Sequence, residues 1–262
     1  MSNDQNIKSV VKGFALLELL VRSAEPLTLT EIANDLGHTK TTAQRLINTL
    51  LGLGYLKRIE GKRYVPGNKV LSLSFQLLQK DNLYKQAQSH LEKISDQLGY
   101  SVTLSVIEGN EILVIYRKER ARYLPYAIYT GSKLPPHCSA TGKVLLSSLP
   151  EDKLEDFLGS IVLTKVTPKT ITDPKALIQE FARIRKRGYS ISNQEFSLDL
   201  YSIGIPLIDG RGKVAAAAGL SVPIKDRGNK SKLNASMAAF FEVGLQISQG
   251  LGYEGPYPKI TQ

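Results

Sequence analysis

The stretch TLTEIANDLGHTKTTAQRLINTLLGLGYLKRIEGKRYVP, residues 28–66, decides how this chain is read. Thr28 and Glu31 have the S/T-x-x-E spacing in which a hydroxyl and a carboxylate satisfy the free amides of a helix start reciprocally. A short helix is predicted over 29–36, stopped at Gly37. Thr39 is placed to cap a further helix running to about Leu53. Two helices joined by a short turn containing glycine form a helix-turn-helix. The last helix has two faces. Ala43, Leu46, Ile47 and Leu50 recur at core spacing, whereas Thr41, Gln44, Arg45 and Asn48 share the opposite side. Those four side chains, with Thr42, are of the types that hydrogen-bond base edges, and Lys40 at the helix start suits a phosphate. Beyond Gly52 and Gly54, two β-capable segments flank a turn at Glu60-Gly61, a hairpin carrying Lys57, Arg58, Lys62 and Arg63. The ordered set predicts a winged helix whose basic wing lies along the phosphate backbone.

Charge supports this placement. The chain of 262 residues has 34 Lys+Arg and 24 Asp+Glu, a formal net charge of +10. From Leu36 to Lys69 there are seven basic residues and one acid, Glu60, so more than half of the excess sits in that short span. An excess of this size suits a polyanionic partner. A run of basic residues at 183–187, by contrast, is expected to be a solvated helix face ending at Gly188.

Several classes are set aside. A single cysteine, Cys138, excludes an intrachain disulfide framework, and three scattered histidines form no zinc-binding pattern. No metal or other cofactor is expected. No stretch is apolar for the length a membrane span needs, and the start of the chain lacks an apolar signal core, so a cytoplasmic protein is expected. Cys138 next to His137 does not make a nucleophile–base pair, since the base must reach the sulfur in space. No catalytic residue is assigned. An enzyme using Cys138, or a DNA-binding architectural protein without ligand, remain the alternatives.

On either side of the opening stretch, residues 7–23 are predicted to form a helix with Val10, Phe14, Leu17 and Val21 as its apolar stripe, widened by Leu16, Leu19 and Leu20. ValProGlyAsn at 65–68 breaks the chain, and Lys69–Lys80 is predicted as a helix too short to stand alone, packing on a partner subunit. Residues 84–98 give another helix. Strands are then expected at 101–107, 111–116, 126–130, 190–193, 201–208 and 214–221, and helices at 140–148, 150–158, 173–187 and 233–250. Hairpins dominate, so this part is α+β with an antiparallel sheet. Residues 132–144 enter a helix at Ser139, where the free amides of Ala140, Thr141 and Gly142 suit a carboxylate. They do not form a P-loop, because His137 and Val144 occupy positions that need Gly and Ser/Thr. Small residues at 215–219 leave space above a sheet, filled by a helix or a ligand. Tyr123, Tyr126 and Tyr129 could line a cavity and mildly favour an aromatic acid.

The segments SVVKGFALLELL (9–20), LGHTKTTAQRLINTL (36–50), GYL (54–56), YVPGNKVL (64–71), LPPHCSATGKVLL (134–146), RGYSISNQEF (187–196) and SIGIPLIDGRGKVAAA (202–217) resemble, in this order, the IclR family of bacterial transcriptional regulators. The resemblance spans about 7–252. It implies a winged helix-turn-helix over 1–68, a linker helix over 69–82 and a GAF-like effector-binding domain over 83–262. It implies homodimers, often paired into tetramers, on palindromic duplex operators, and a small organic acid as effector. Carried over by position, the effector site comprises Ala140 and Thr141 with neighbouring Cys138, then Ser202 and Ser221, with Asn193, Leu200 and Gly219 nearby and Leu134, Tyr123 and Tyr126 as apolar walls. The residues Asp199–Tyr201 and Ser192–Gln194 depart from the family's usual pattern, so effector identity does not carry over.

Overall fold

The computed structural model describes residues 6–120 and 128–260, which divide into two compact units, Met1–Lys80 and Asp81–Gln262.

In the first unit α1 (Lys8–Arg22), α2 (Leu29–Asp35) and α3 (Lys40–Gly52) precede a hairpin of β2 (Leu56–Ile59) and β3 (Arg63–Pro66). A two-residue strand β1 (Leu27–Thr28) adds to β3, giving the antiparallel order β1-β3-β2. The capping box forms in full: the Thr28 hydroxyl accepts from Glu31 N–H, and the Glu31 carboxylate accepts from Thr28 N–H at 2.7 Å. Gly37 takes the left-handed conformation, φ 62°, that turns the chain from α2 toward α3. Leu16, Leu20, Ile32, Ala33, Ala43, Ile47, Leu56 and Tyr64 form the core. Each fully buried Leu or Ile contributes about 1.5–3 kcal/mol relative to exposure.

The stripe expected to bury α1 holds only in part. Leu16 and Leu20 are buried and Leu17 and Leu19 pack against the core, but Val10, Phe14 and Val21 are exposed. The helix is apolar on more than one side, so periodicity alone selects no face. α4 (Asn68–Lys80) follows the hairpin with no buried residue, and leaves Leu71, Leu73, Phe75 and Leu77 exposed.

The second unit has a six-stranded antiparallel sheet of β4 (Ser101–Glu108), β5 (Glu111–Lys118), β6 (Lys133–Leu134), β7 (Ser190–Asn193), β8 (Leu200–Ile208) and β9 (Val214–Pro223), in the order β6-β5-β4-β9-β8-β7. α5 (Asn82–Leu98) and α9 (Lys230–Gly250) pack together, on β4, β5 and β8. α6 (Ala140–Ser147) lies over β4, β7, β8 and β9, backed by α8 (Pro174–Arg187); α7 (Glu151–Ser160) adds Leu154 and Phe157 to this core. The expected strand at 126–130 is absent where it can be judged: Ile128 is buried, Tyr129 is exposed and Thr130-Gly131 turn. On one face of β9 the small residues make room for α6, whose first turn rests on the sheet, and Gly219 borders the cavity beside it, while Ala216 and Ala218 point to the other face. A Cβ on Gly204 of β8 would collide with the Ala140 carbonyl, and one on Gly219 of β9 would stand 2.9 Å from the Thr141 methyl.

Candidate functional site

α3 presents the side expected from its sequence. Ala43 and Ile47 are fully buried, while Lys40, Thr41, Arg45 and Asn48 are exposed and Thr42 and Gln44 half-buried. Local bonds order this face. The Thr39 hydroxyl caps Thr42 N–H, and Gln44 Nε2 donates to Asn48 Oδ1 at 2.9 Å. In the hairpin Lys57, Arg58 and Lys62 are exposed, with Gly61 and Lys62 at positive φ in the turn. Arg63 differs: its guanidinium donates to the Pro26 carbonyl at 2.6 Å and pairs with Glu31 at 3.5 Å, tying the hairpin to the start of α2. Sequence reasoning passed over Lys8 and Lys12 of α1, which border a cleft with Thr42, Arg45 and Thr49 beside the exposed face of α3.

The second unit holds a cavity of about 40 Å³ between the start of α6 and the sheet, lined by Thr103, Arg117, Ile128, Leu134, Ser139, Ala140, Thr141, Ser192, Phe196, Leu200, Ser202, Gly219 and Ser221. Strand register explains the floor. Ser192, Ser202, Ser221 and Ser101 are successive cross-strand partners, and so, two residues along, are Ser190, Gly204, Gly219, Thr103 and Arg117. Residues paired across strands share a face, so hydroxyls, glycines and one guanidinium form two adjacent rows. The outer serines are used structurally. Ser190 Oγ donates to the Ala140 carbonyl and Ser192 Oγ to the Cys138 carbonyl, both at 2.6 Å, which holds the entry to α6. The Ser139 hydroxyl accepts from Gly142 N–H, so of the three amides expected to be free only those of Ala140 and Thr141 lack a partner among the described residues.

Seven of the expected effector residues therefore meet in one cavity: Leu134, Ala140, Thr141, Leu200, Ser202, Gly219 and Ser221. Asn193 and Cys138 are not among the lining residues. Alternation along β7 sends Ser192 to the cavity and so Asn193 to the other face. The Cys138 side chain is fully buried, and burial, reinforced by the nearby Glu195 carboxylate, pushes its thiol up to about 12. Tyr123 and Tyr126 lie outside the described residues. Thr103, Arg117, Ile128, Ser139, Ser192 and Phe196 complete the lining and were not singled out as pocket residues from the sequence.

Behind the cavity is a buried charge cluster. Lys143 of α6, 1% exposed, donates to Glu195 Oε1 and to the Ile191 carbonyl, both at 2.7 Å, and lies 3.5 Å from Glu180. Glu180 also pairs with Arg187 at 2.9 Å and Arg183 at 3.5 Å, so the basic run at 183–187 is partly engaged rather than merely solvated. Burial raises the Glu195 carboxyl above the ordinary carboxylate range while Lys143 pulls it down. The conspicuous Lys of the 134–146 stretch and Glu of the 187–196 stretch are thus one ion pair, pinning α6 to the segment that carries Phe196 and Leu200. Among the described residues no group of His, Cys, Asp and Glu could hold a metal ion, and no helix is long and apolar enough to cross a membrane.

A capped helix-turn-helix with a basic wing, followed by a sheet domain with a small polar cavity, defines a DNA-binding transcriptional regulator with a C-terminal regulatory domain. The comparisons specify the class. Residues 9–60 match the IclR helix-turn-helix domain, and residues 75–249 match the bacterial transcriptional regulator IclR C-terminal domain. The chain belongs to the IclR family of bacterial transcriptional regulators. It is 32% identical over 216 residues to the p-hydroxybenzoate hydroxylase transcriptional activator of Acinetobacter baylyi, covering 80% of this chain and 79% of that one. To the Pca regulon regulatory protein of Pseudomonas putida it is 30% identical over 217 residues, covering 82% of this chain and 74% of the other. The crystal structure of Thermotoga maritima IclR superposes with a TM-score of 0.77 at 29% identity, covering 95% of this chain and all of that one. These relatives are regulators, not enzymes.

Proposed function

We propose that the chain is an effector-responsive regulator in which α3 reads operator bases in the major groove, the hairpin grips the adjoining phosphates, and the second unit binds a small organic acid in the cavity at the start of α6. The observation that carries the effector half is the convergence of seven residues, from four separated stretches of sequence, on one cavity that offers two helix-start amides without a partner among the described residues and the Ser202 and Ser221 hydroxyls. A carboxylate suits such a helix end. Aromatic acids are the favoured class, supported by the activator of the p-hydroxybenzoate hydroxylase gene among the relatives. At about 40 Å³ the cavity has room for about three water-sized groups, so a ring is admitted as the Phe196–Leu200 wall yields.

The operator is palindromic, read by two copies of the chain. The apolar side chains left exposed on α1 and α4, among them Phe14, Leu71, Phe75 and Leu77, support contact with a second copy. Effector binding changes DNA affinity by favouring one geometry of that dimer over another, through a difference in its affinity for the two.

The deciding experiment is a melting screen of the full chain against aliphatic and aromatic carboxylates. A ligand of the folded state raises the melting point by RT ln(1 + [L]/Kd). Ser202→Leu should abolish the rise while duplex binding persists. No shift with any acid overturns the effector reading, and a shift that survives Ser202→Leu places the ligand elsewhere.

A further inference from the structure

We propose that Arg117, turned into the cavity by a β-bulge, is the side chain that anchors the effector's carboxylate. This rests on the effector reading above and adds the recognising charge to it.

Simple alternation along β5 does not send Arg117 there. Ile112 and Val114 face the α6 side of the sheet, which puts Arg117, three residues beyond Val114, on the opposite face. The register breaks this parity. Leu104 pairs with Tyr116 but Ser105 pairs with Val114, so Ile115 is an extra residue with no partner. One inserted residue exchanges the faces of all that follow, a recurrent means of re-aiming a side chain at a site. Arg117 consequently stands beside Thr103 in the row of the cavity floor.

Its environment matches an anion better than a structural role. The side chain is 6% exposed, yet it makes two polar contacts: Nη1 donates to Thr103 Oγ1 at 2.9 Å, and Nη2 reaches Glu119 Oε1 at 3.4 Å. Nε is buried and has no hydrogen-bond partner among the described residues. Burial presses the guanidinium toward losing its charge, but arginine does not deprotonate in proteins, so the positive charge persists in a site that under-serves it. Glu119, one-third exposed and at the long end of pairing distance, neutralises it poorly. The other cavity polar groups are neutral hydroxyls and amides. Arg117 is the cation among the lining residues, and its planar donors suit a carboxylate. The site should therefore distinguish an acid from its uncharged amide.

The test uses 4-hydroxybenzoate, benzoate and pyruvate, each beside its amide, with Kd taken from melting shifts of the full chain. Three chains are compared: wild type, Arg117→Met, which keeps length and removes charge, and Arg117→Lys. Wild type should bind at least one acid and prefer it to its amide by about 10–100-fold, the range a charge-assisted hydrogen bond supports. Arg117→Met should lose that preference through weaker acid binding with little change for the amide, and Arg117→Lys should recover part of it. An acid bound equally by wild type and Arg117→Met, or an amide bound by wild type as well as its acid, overturns the anchor and leaves the effector reading standing. Absence of any acid binding to wild type overturns both. If Arg117→Met does not fold, wild type and Arg117→Lys decide: the lysine, a point charge without the planar fork, must bind the acid more weakly than arginine while still preferring it to the amide.

Discussion

Removing Lys143 tests whether one buried ion pair holds the cavity's wall to α6. In Lys143→Met the carboxylate of Glu195 loses an ammonium at 2.7 Å, and Glu180 loses one at 3.5 Å. Glu195 is too buried for water to replace it, since Oε2 already lacks a partner among the described residues. Breaking one side of such a pair costs about 3–5 kcal/mol. For a unit of this size that corresponds to a melting-point loss of roughly 6–20 °C. The double variant Lys143→Met with Glu195→Leu removes both charges and should recover most of the loss, because a buried pair replaced by apolar side chains is often near neutral. The pH dependence has a definite sign. Burial raises the Glu195 carboxyl, and without Lys143 little opposes it. The folded protein then holds a proton that the unfolded chain releases above about pH 4.5, so the stability of Lys143→Met falls as pH rises from 5 to 8. Circular dichroism melts at both pH values measure this. A loss below about 1 kcal/mol, or a double variant no better than the single, would refute the idea that the pair is what joins these elements.

Three further outcomes follow from the geometry. Arg45→Ala should weaken operator binding by about 1–3 kcal/mol and relax preference at one base pair, whereas Lys62→Ala should weaken all duplexes alike and reduce the salt slope by about 1, both read from selection on random duplexes and salt titrations. Cys138 should resist iodoacetamide at pH 8 in the folded protein and react once urea unfolds it, because its thiol is pushed up to about 12; rapid labelling of the native chain contradicts the burial. Gly204→Ala should lower the melting point by an amount equivalent to about 1–3 kcal/mol, since the new methyl meets the Ala140 carbonyl, a backbone atom that cannot rotate away; an unchanged melt contradicts the close seating of α6.

What could be read in advance follows from how local each cause is. The capping box at Thr28 and Glu31, the Gly37 turn and the two faces of α3 depend on residues within a few positions of each other, and all appear as expected. α1 shows the limit: its apolar residues cover more than one side, and only contact with α3 and β3 selects Leu16 and Leu20 over Val10, Phe14 and Val21. Arg63, expected at the phosphates with its neighbours, also has a tie to Pro26 across 37 positions that its local sequence does not reveal. Lys143 and Glu195 are each conspicuous in sequence, yet their pairing spans 52 residues. The family resemblance supplied most of the cavity's lining, but Arg117 needed the register, since a bulge leaves no mark in a run of strand-forming residues.

All eight residues of α6 are buried, so this helix has no solvent side on which change is harmless. Its opening turn is wedged between the Pro136 carbonyl, which a side chain at Gly142 would strike, and the glycines beneath. If the cavity is the effector site proposed above, change in ligand preference is channelled away from the helix and onto the strand positions 117, 202 and 221 and the wall around 196–200. A laboratory library aimed at altered ligand response would gain more from randomising those positions than from any substitution in the helix that caps them.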